Sequence, residues 1–422
     1  MIRVRLATLG CKANHADSEA LADALGPDVR LVGDGEPADV VVVNSCTVTH
    51  TADADARQLV RRTRSELPSA RIVVTGCYAT VGRAELAARP EVDHVVPNAD
   101  KARLPALISG GSAFTLRDAA AIRALPQGRT RPFVKVQDGC DYVCSFCIIP
   151  AARGASRSLD VGAVADTVAR YEDLGALEVV LTGIHLGHWG KDMAPRRRFA
   201  DLVAELVRRT RHVRFRISSL EPGEVDDAVL DLLDDTARVC PHLHVPLQSG
   251  DDAILSRMRR VYRASHYAQL VERFRRRVPR GAWGIDVMVG FPGEDDRSFR
   301  RTADFLESLD FTYLHVFPYS PRQGTEAATM AGQVPADVKR ARCRALLALS
   351  EARRAAHAER SVGEVVTVLA EGGYDQGRLR GFSEHYLSVT FEGPREWTRT
   401  MRRVKIVAAD GGAVRGTVHE SD

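Results

Sequence analysis

Cys140, Cys144 and Cys147 place three thiols within eight positions of "QDGCDYVCSFCIIPAARG", residues 137–154. Thiolates are soft ligands suited to zinc or to iron-sulfur clusters. A structural zinc site closes four ligands, often as two C-x-x-C pairs, and no second pair or suitable histidine follows here. Three thiolates on one short loop suit a [4Fe-4S] cluster that keeps one iron open for a substrate or cofactor. A redox-inert zinc site is the alternative.

Three further cysteines share another pattern. "VRLATLGC" ends at Cys11, "DVVVVNSC" at Cys46 and "ARIVVTGC" at Cys77, each an apolar, β-branched run closing on cysteine. They stand 35 and 31 residues apart, the length of a strand-helix unit. Right-handed crossovers then give a parallel sheet whose strands all end at one edge. Cys11, Cys46 and Cys77 are therefore expected to converge; the alternative is three separately buried thiols that pack as small apolar groups.

The elements that must position these residues fall into an α/β chain of several parts. Residues 1–108 form an N-terminal parallel α/β domain. Residues 109–130, "SGGSAFTLRDAAAIRALPQGRT", gather Gly, Ser and Pro as a linker. Residues 131–358 alternate again, with strands in "FVKVQ", "LEVVLTG", "VRFRISS", "HLHVPLQ", "WGIDVMVGF" and "TYLHVFPY". Six repeats suit a partial (βα)6, TIM-like barrel, whose chemistry lies in the loops after the strands. A helical stretch at roughly 335 to 360 ends this part. Residues 359–422 change to short strands with Gly and Asp turns, a small closed β-barrel.

Lys and Arg number 59 against 55 Asp and Glu, a net charge of +4 that permits a nucleic-acid partner without requiring one. No run of 18 apolar residues predicts a membrane span, and the N-terminus lacks signal-peptide character. A cytoplasmic protein is expected, and in that reducing compartment clustered cysteines indicate metal or catalysis rather than disulfides.

C-x-x-x-C-x-x-C directly after the first strand of a six-fold strand-helix repeat resembles the radical S-adenosylmethionine superfamily. "TLGCKAN", "NSCTVT" and "TGCYA" ahead of that core, and the β module behind it, look like the methylthiotransferases, with the module resembling their TRAM domain. The resemblance spans the full chain. It implies two [4Fe-4S] clusters. One is held by Cys140, Cys144 and Cys147, its open iron chelating S-adenosylmethionine with Phe146 beside the adenine; the other is held by Cys11, Cys46 and Cys77.

The same resemblance puts Gly183 near the cofactor amine, and Ser218, Ser219 and Glu221 near its ribose or carboxylate. Gly290 and Gly293, in "VGFPGE", match a turn that admits adenine closely. Each of these also reads as an ordinary turn. Arg153 and Arg157 are candidates for the cofactor carboxylate or a nucleic-acid phosphate, or for pairing with a neighbouring acid. "QSGD", through Gln248, Ser249 and Asp251, shares the resemblance with no role that chemistry assigns. Cys240, His242 and His244 in "CPHLH" suit a metal, an inward barrel layer or a cofactor-facing contact. His185 and His188 carry the same ambiguity, and Cys343 reads as packing.

The implied reaction uses S-adenosylmethionine twice. Reductive cleavage of one molecule gives a 5′-deoxyadenosyl radical that takes hydrogen from the substrate, and a second molecule supplies the methyl group of the transferred sulfur. The protein's task is to exclude water and to set two clusters around one substrate atom. The motifs look most like the subgroup acting on threonylcarbamoyladenosine at position 37 of tRNA. That subgroup implies the anticodon stem-loop as partner and an electron donor such as flavodoxin or ferredoxin; the sulfur donor stays unassigned. Isopentenyladenosine in tRNA and an aspartate of a ribosomal protein are the alternative substrates. An iron-sulfur redox or scaffold protein without radical chemistry is the alternative of another class. Residues 376–405 carry seven Lys and Arg against three acids, suited to an RNA backbone, but 359–422 carry nine against ten, which keeps the protein substrate open.

Overall fold

In the computed structural model, residues 1–109, 122–126, 128–235 and 237–419 are described. The predicted linker, 109–130, thus lies mostly outside the described residues. Of its described part, Ile122 is buried in the central core and Leu125 packs against it.

The first sheet contains β1 (Ile2–Thr8), β2 (Val29–Leu31), β3 (Val40–Ser45), β4 (Arg71–Gly76) and β5 (His94–Pro97), in the order β2-β1-β3-β4-β5 and parallel throughout. The three strands expected to precede cysteines are β1, β3 and β4. β3 is buried along its whole length because helices cover both faces of a parallel sheet, which explains its unbroken valine run. The edge strands β2 and β5 were not anticipated; they are short and largely or partly exposed, so hydrophobic patterning does not mark them.

The central part supplies six parallel strands: β6 (Phe133–Lys135), β9 (Glu178–Thr182), β10 (Arg214–Ile217), β11 (His242–His244), β12 (Ala282–Val289) and β13 (Tyr313–Pro318). They form the sheets β10-β9-β6 and β11-β12-β13, joined by a bridge between Phe215 and Val239. This is a partial barrel, as expected. Between β6 and β9 a two-residue hairpin, β7 (Gln137–Asp138) with β8 (Arg157–Ser158), pinches off the loop that bears the clustered cysteines. The core runs from Val134 through Phe215 to Trp283 and Leu314.

Helix Ala336–Arg360 matches the predicted helical stretch, and Leu314 donates its N–H to Ser350 Oγ at 2.8 Å, docking the helix on β13. Beyond it β14 (Val365–Asp375), β15 (Arg378–Ser383), β16 (Ser388–Glu392), β17 (Met401–Asp410) and β18 (Ala413–Val418) close a barrel in the order β14-β15-β16-β18-β17. "GRLRGFSEHYLSVTF", read as one stretch in the sequence, turns back on itself at Tyr386, whose φ is +63°. Val366, Val368, Leu379, Phe391, Val404 and Val414 fill the barrel.

Glu178 fastens this barrel to the centre. It pairs with Arg214 at 2.5 Å and Arg216 at 2.7 Å, and these arginines donate onward to the carbonyls of Thr367 at 3.0 Å and Ser383 at 2.9 Å. Among the described residues, no helix is long and apolar enough to cross a membrane.

Candidate functional site

Three thiols stand in the loop between β7 and β8. Gly139 enters it at φ +74°, where an added Cβ would lie 1.9 Å from the Ala155 carbonyl oxygen, so only glycine lets the loop close. Cys147 donates its N–H to the Cys144 carbonyl at 3.1 Å. Ser145 ties the loop down through its N–H to Met258 O at 3.2 Å and its hydroxyl to Arg257 O at 2.7 Å. All eight cysteines are free.

Charged groups converge on the sulfurs. Arg260 Nη1 donates to Cys144 Sγ at 3.3 Å, the Tyr142 N–H to Cys140 Sγ at 3.4 Å, and His185 Nδ1 lies 3.4 Å from Cys140 Sγ. Burial pushes the Cys147 thiol up to about 12 and raises Cys144 as well, although Arg260 opposes that rise. Thiols so placed gain their negative charge by binding a cation, and three soft donors beside an arginine fit an iron-sulfur cluster. His185 also stacks on His188 with ring centroids 3.6 Å apart and approaches Glu224 at 2.6 Å. Burial disfavours its charge, but Cys140 and Glu224 outweigh that and raise it to about 9; burial and the neighbouring His185 hold His188 near 4.

The second set stands at the ends of β1, β3 and β4. Gly10, φ +95°, passes so close to Cys46 that an added Cβ would meet its Cβ at 2.5 Å and its sulfur at 2.8 Å. Gly76, φ +98°, likewise passes the Ser45 carbonyl, where a Cβ would lie 2.3 Å away. Burial pushes Cys46 up to about 11, with Cys77 and Cys11 adding to it. The close approaches of Gly10, next to Cys11, and Gly76, next to Cys77, bring the ends of β1 and β4 against the end of β3 at Cys46. Cys46 and Cys77 are buried and Cys11 is exposed, which leaves the group open on one side.

One ion network joins the two sets. Arg153, on helix Ile149–Arg153 just after the cysteine loop, donates to Asp138 at 2.8 Å and to Asn14, and lies 3.2 Å from Asp17. Asp17 also meets Lys101 at 2.9 Å and Lys135. Burial opposes the Asp17 charge, but these three cations hold it far below the usual carboxylate range. Asn98 adds a link, donating to the Ala152 carbonyl at 2.8 Å with its Nδ2 3.7 Å from Cys77 Sγ. Of the alternatives for Arg153, pairing with neighbouring acids is the one realised.

The remaining candidates are spread around the same barrel end. Phe146 packs edge-on to Phe291, centroids 6.4 Å apart. Gly183 abuts Gln137, whose Oε1 accepts from the Ile184 and His185 N–H groups at 3.1 and 2.7 Å. Ser218 and Ser219 line a cavity of about 750 Å³. Glu221 pairs with Arg260, and burial still raises it. Gly290 and Gly293 both have positive φ, at +72° and +87°, and the space a Cβ would need faces Lys339 and Arg257. Arg157 is exposed and borders a separate cavity of about 630 Å³ with Asp138 and Arg153.

"QSGD" acquires a structural job: Gln248 takes φ +67°, and Asp251 caps helix Asp252–Arg257 through the Ala253 and Ile254 N–H groups. In "CPHLH", Cys240 parts from the histidines and lies 3.9 Å from Glu178, while His242 and His244 meet the Tyr313 hydroxyl at 2.9 and 3.2 Å. His244, Asp286 and His315 cluster within ligand distance of one another. Cys343 packs against the core. Sequence reasoning missed Arg260 and Asp17. Nothing in "RMRRVYR" marks Arg260, whereas Asn14 and Asp17 interrupt the buried alanine stripe of helix Lys12–Ala24, a readable sign of a buried polar network.

Residues 3–97 match the family described as "Uncharacterized protein family UPF0004" and residues 134–306 the "Radical SAM superfamily". The protein named "Threonylcarbamoyladenosine tRNA methylthiotransferase MtaB" from Bacillus subtilis is 38% identical, covering 97% of this chain and 94% of its own. Its namesake from Thermotoga maritima is 33% identical over 97% and 96%. A Salinispora arenicola protein named "tRNA-2-methylthio-N(6)-dimethylallyladenosine synthase" is 36% identical over 89% and 79%. Among solved structures, the radical S-adenosylmethionine methyltransferase TsrM of Kitasatospora setae, with cobalamin and a [4Fe-4S] cluster bound, superposes with a TM-score of 0.55 at 17% identity over 77% of each chain, a likeness of fold. With free cysteines at the mouth of its partial barrel and near-full-length relatives of this kind, the chain belongs to the radical S-adenosylmethionine methylthiotransferase family.

Proposed function

We propose that this chain transfers a methylthio group to C2 of N6-threonylcarbamoyladenosine at position 37 of tRNA. One observation carries the reading: two sets of free cysteines, one at the ends of three parallel strands and one in the loop between β7 and β8, are bridged by the Arg153 and Asp17 network. The near-full-length likeness to proteins named for that reaction supports it.

Cys140, Cys144 and Cys147 then hold one [4Fe-4S] cluster, and Cys11, Cys46 and Cys77 a second. When bound, the clusters and S-adenosylmethionine supply electron transfer, hydrogen abstraction and sulfur transfer. The chain's own residues bind and orient. Arg260 offsets thiolate charge at Cys144; Phe146 borders the adenine; the Gly183 loop, held by Gln137, offers backbone to the cofactor amine. Ser218, Ser219 and Glu221 face the ribose or carboxylate, Gly290 and Gly293 shape the turn beside the adenine, and Arg157 reaches an anion from the exposed edge. The N-terminal α/β part takes 1–108, the linker 109–130, the radical core 131–358 and the TRAM-like barrel 359–422.

The anticodon stem-loop is the partner, and exposed Arg403 and Lys405 on β17 suit its phosphates. A flavodoxin or ferredoxin delivers electrons, in the cytoplasm. The test is expression in a host lacking its own tRNA methylthiotransferases, with mass spectrometry of the digested tRNA nucleosides. Methylthio-threonylcarbamoyladenosine is the expected product. Methylthio-isopentenyladenosine would keep the chemistry and change the substrate, and neither product from a cluster-loaded protein would overturn the tRNA assignment in favour of the ribosomal protein.

A further inference from the structure

The cavity of about 750 Å³ is walled by all three parts of the chain: Lys12 from the first, Ser219 and Asp286 from the centre, Glu371 and Tyr386 from the last. Lys12 follows Cys11, and Ser218 and Ser219 follow β10, so the cavity runs from the second cysteine set to the side proposed for the cofactor. A substrate atom that both must reach lies in this space. Several polar groups on its wall already have protein partners. The Tyr313 hydroxyl meets His242 and His244 at 2.9 and 3.2 Å, Asp286 lies 2.7 Å from His244, and Glu371 pairs with Arg131 at 2.5 Å.

Tyr386 is different. It sits in the turn between β15 and β16, which closes through the Ser383 N–H on the Leu387 carbonyl at 3.0 Å and the Tyr386 N–H on the Ser383 carbonyl at 3.1 Å. The turn puts Tyr386 at φ +63°. Glycine takes this conformation freely in hairpin loops, whereas a bulky side chain there is strained. Such strain persists only where the surroundings over-determine it, and it gathers at ligand sites. Here Arg216 donates to the Ser383 carbonyl at 2.9 Å, and the Glu384 carboxylate accepts the Thr367 N–H at 2.8 Å, so the turn is held at two successive residues.

The held turn sets a ring of the small barrel among wall residues of the centre. His242 stacks on it with centroids 4.4 Å apart, Phe382 with centroids 5.1 Å apart, and the Arg216 guanidinium carbon lies 5.3 Å from its centroid. The ring is thus engaged by protein groups, but its hydroxyl is not. That hydroxyl has no hydrogen-bond partner among the described residues and, unlike the hydroxyl of Tyr319, keeps contact with solvent. A phenol both donates and accepts. Stacking alone would be served by phenylalanine; a free hydroxyl fixed at the cavity wall suits a polar group on what fills the cavity.

We infer that Tyr386 is a specificity-determining residue whose hydroxyl makes a hydrogen bond to the polar substituent on N6 of the substrate base. The inference rests on the proposed methylthiolation of threonylcarbamoyladenosine. The test uses the full chain with reconstituted clusters and three synthetic anticodon stem-loops, carrying threonylcarbamoyladenosine, isopentenyladenosine or unmodified adenosine at position 37. Tyr386→Phe keeps the ring, its stacking and the turn, so the unfolding transition should stay at the wild-type value. It should weaken binding of the threonylcarbamoyl stem-loop about three- to tenfold and raise KM by the same factor with kcat held. Binding of the other two stem-loops, and 5′-deoxyadenosine formation without RNA, should not change.

A Tyr386→Phe protein that binds and turns over the threonylcarbamoyl stem-loop as the wild type does would overturn the inference and leave the ring a packing role alone. Equal weakening on all three stem-loops would place the hydroxyl on the RNA backbone and overturn it as well. If the wild type does not methylthiolate the threonylcarbamoyl stem-loop, the proposed function itself fails, an outcome distinct from a Tyr386 substitution without effect.

Discussion

Arg153 lies 3.2 Å from Asp17, and each stands six positions beyond a cysteine, Cys147 and Cys11. Asp17 answers three buried cations at once, so neutralising it leaves uncompensated charge rather than a missing surface contact. Asp17→Asn should lower the unfolding free energy by about 3–5 kcal/mol in urea titrations. Arg153→Met combined with it should cost less than the two singles added together, because each removes the partner of the other.

Glu178 sets an acid limit on the fold. Burial raises its pKa, but Arg216, Arg214 and Arg131 outweigh that and hold it near 2. A carboxylate whose folded value is depressed stabilises fully above its unfolded value, about 4.3, and the contribution fades as pH falls through 2. Stability should therefore fall between about pH 4.3 and pH 2 with a slope that Glu178→Gln removes. At pH 7 the same substitution should cost about 3–5 kcal/mol, since it strands two buried arginines. The gap between variant and wild type must narrow towards pH 2 in urea melts; a constant gap rejects this account.

Gly10 tests whether the second cysteine set holds iron. A Cβ there meets Cys46 at 2.5 Å, on a backbone already at φ +95°. Gly10→Ala should remove about half the iron of the reconstituted chain while 5′-deoxyadenosine formation persists, the same result expected for Ala at Cys11, Cys46 and Cys77 together. Gly35 has φ +83° but open space around it, so Gly35→Ala strains the backbone without touching a sulfur and should leave iron content unchanged.

Patterning revealed the strands that are buried and long enough to carry it. Val40–Val43 and Trp283–Val289 announced β3 and β12, and the repetition of a strand ending on cysteine predicted the neighbourhood of Cys46 and Cys77. β2 escaped because three largely exposed residues have no periodicity to read. The turn at Tyr386 escaped because "SEHY" lacks the glycine that usually marks a positive φ. Arg153 was legible as a residue with three possible partners, and its partners were not, since Asn14 and Asp17 come from helix Lys12–Ala24, 139 and 136 positions away.

Arg260 is the residue whose removal should separate cluster support from fold. It bridges Cys144 Sγ, at 3.3 Å, and Glu221, and it is almost wholly buried. Its positive charge favours the thiolate that a cluster needs. Arg260→Met should therefore weaken iron retention at this loop and slow 5′-deoxyadenosine formation, each by about ten- to hundredfold. The single substitution also strands Glu221, whose burial already favours the protonated form. Pairing it with Glu221→Gln removes that stranded acid and should return the unfolding transition of the apoprotein towards wild type. Cleavage should stay slow in the double variant, because the charge beside Cys144 is still missing. If the double variant recovers both stability and cleavage, Arg260 acts only by pairing with Glu221, and its contact with the sulfur has no part in holding the cluster.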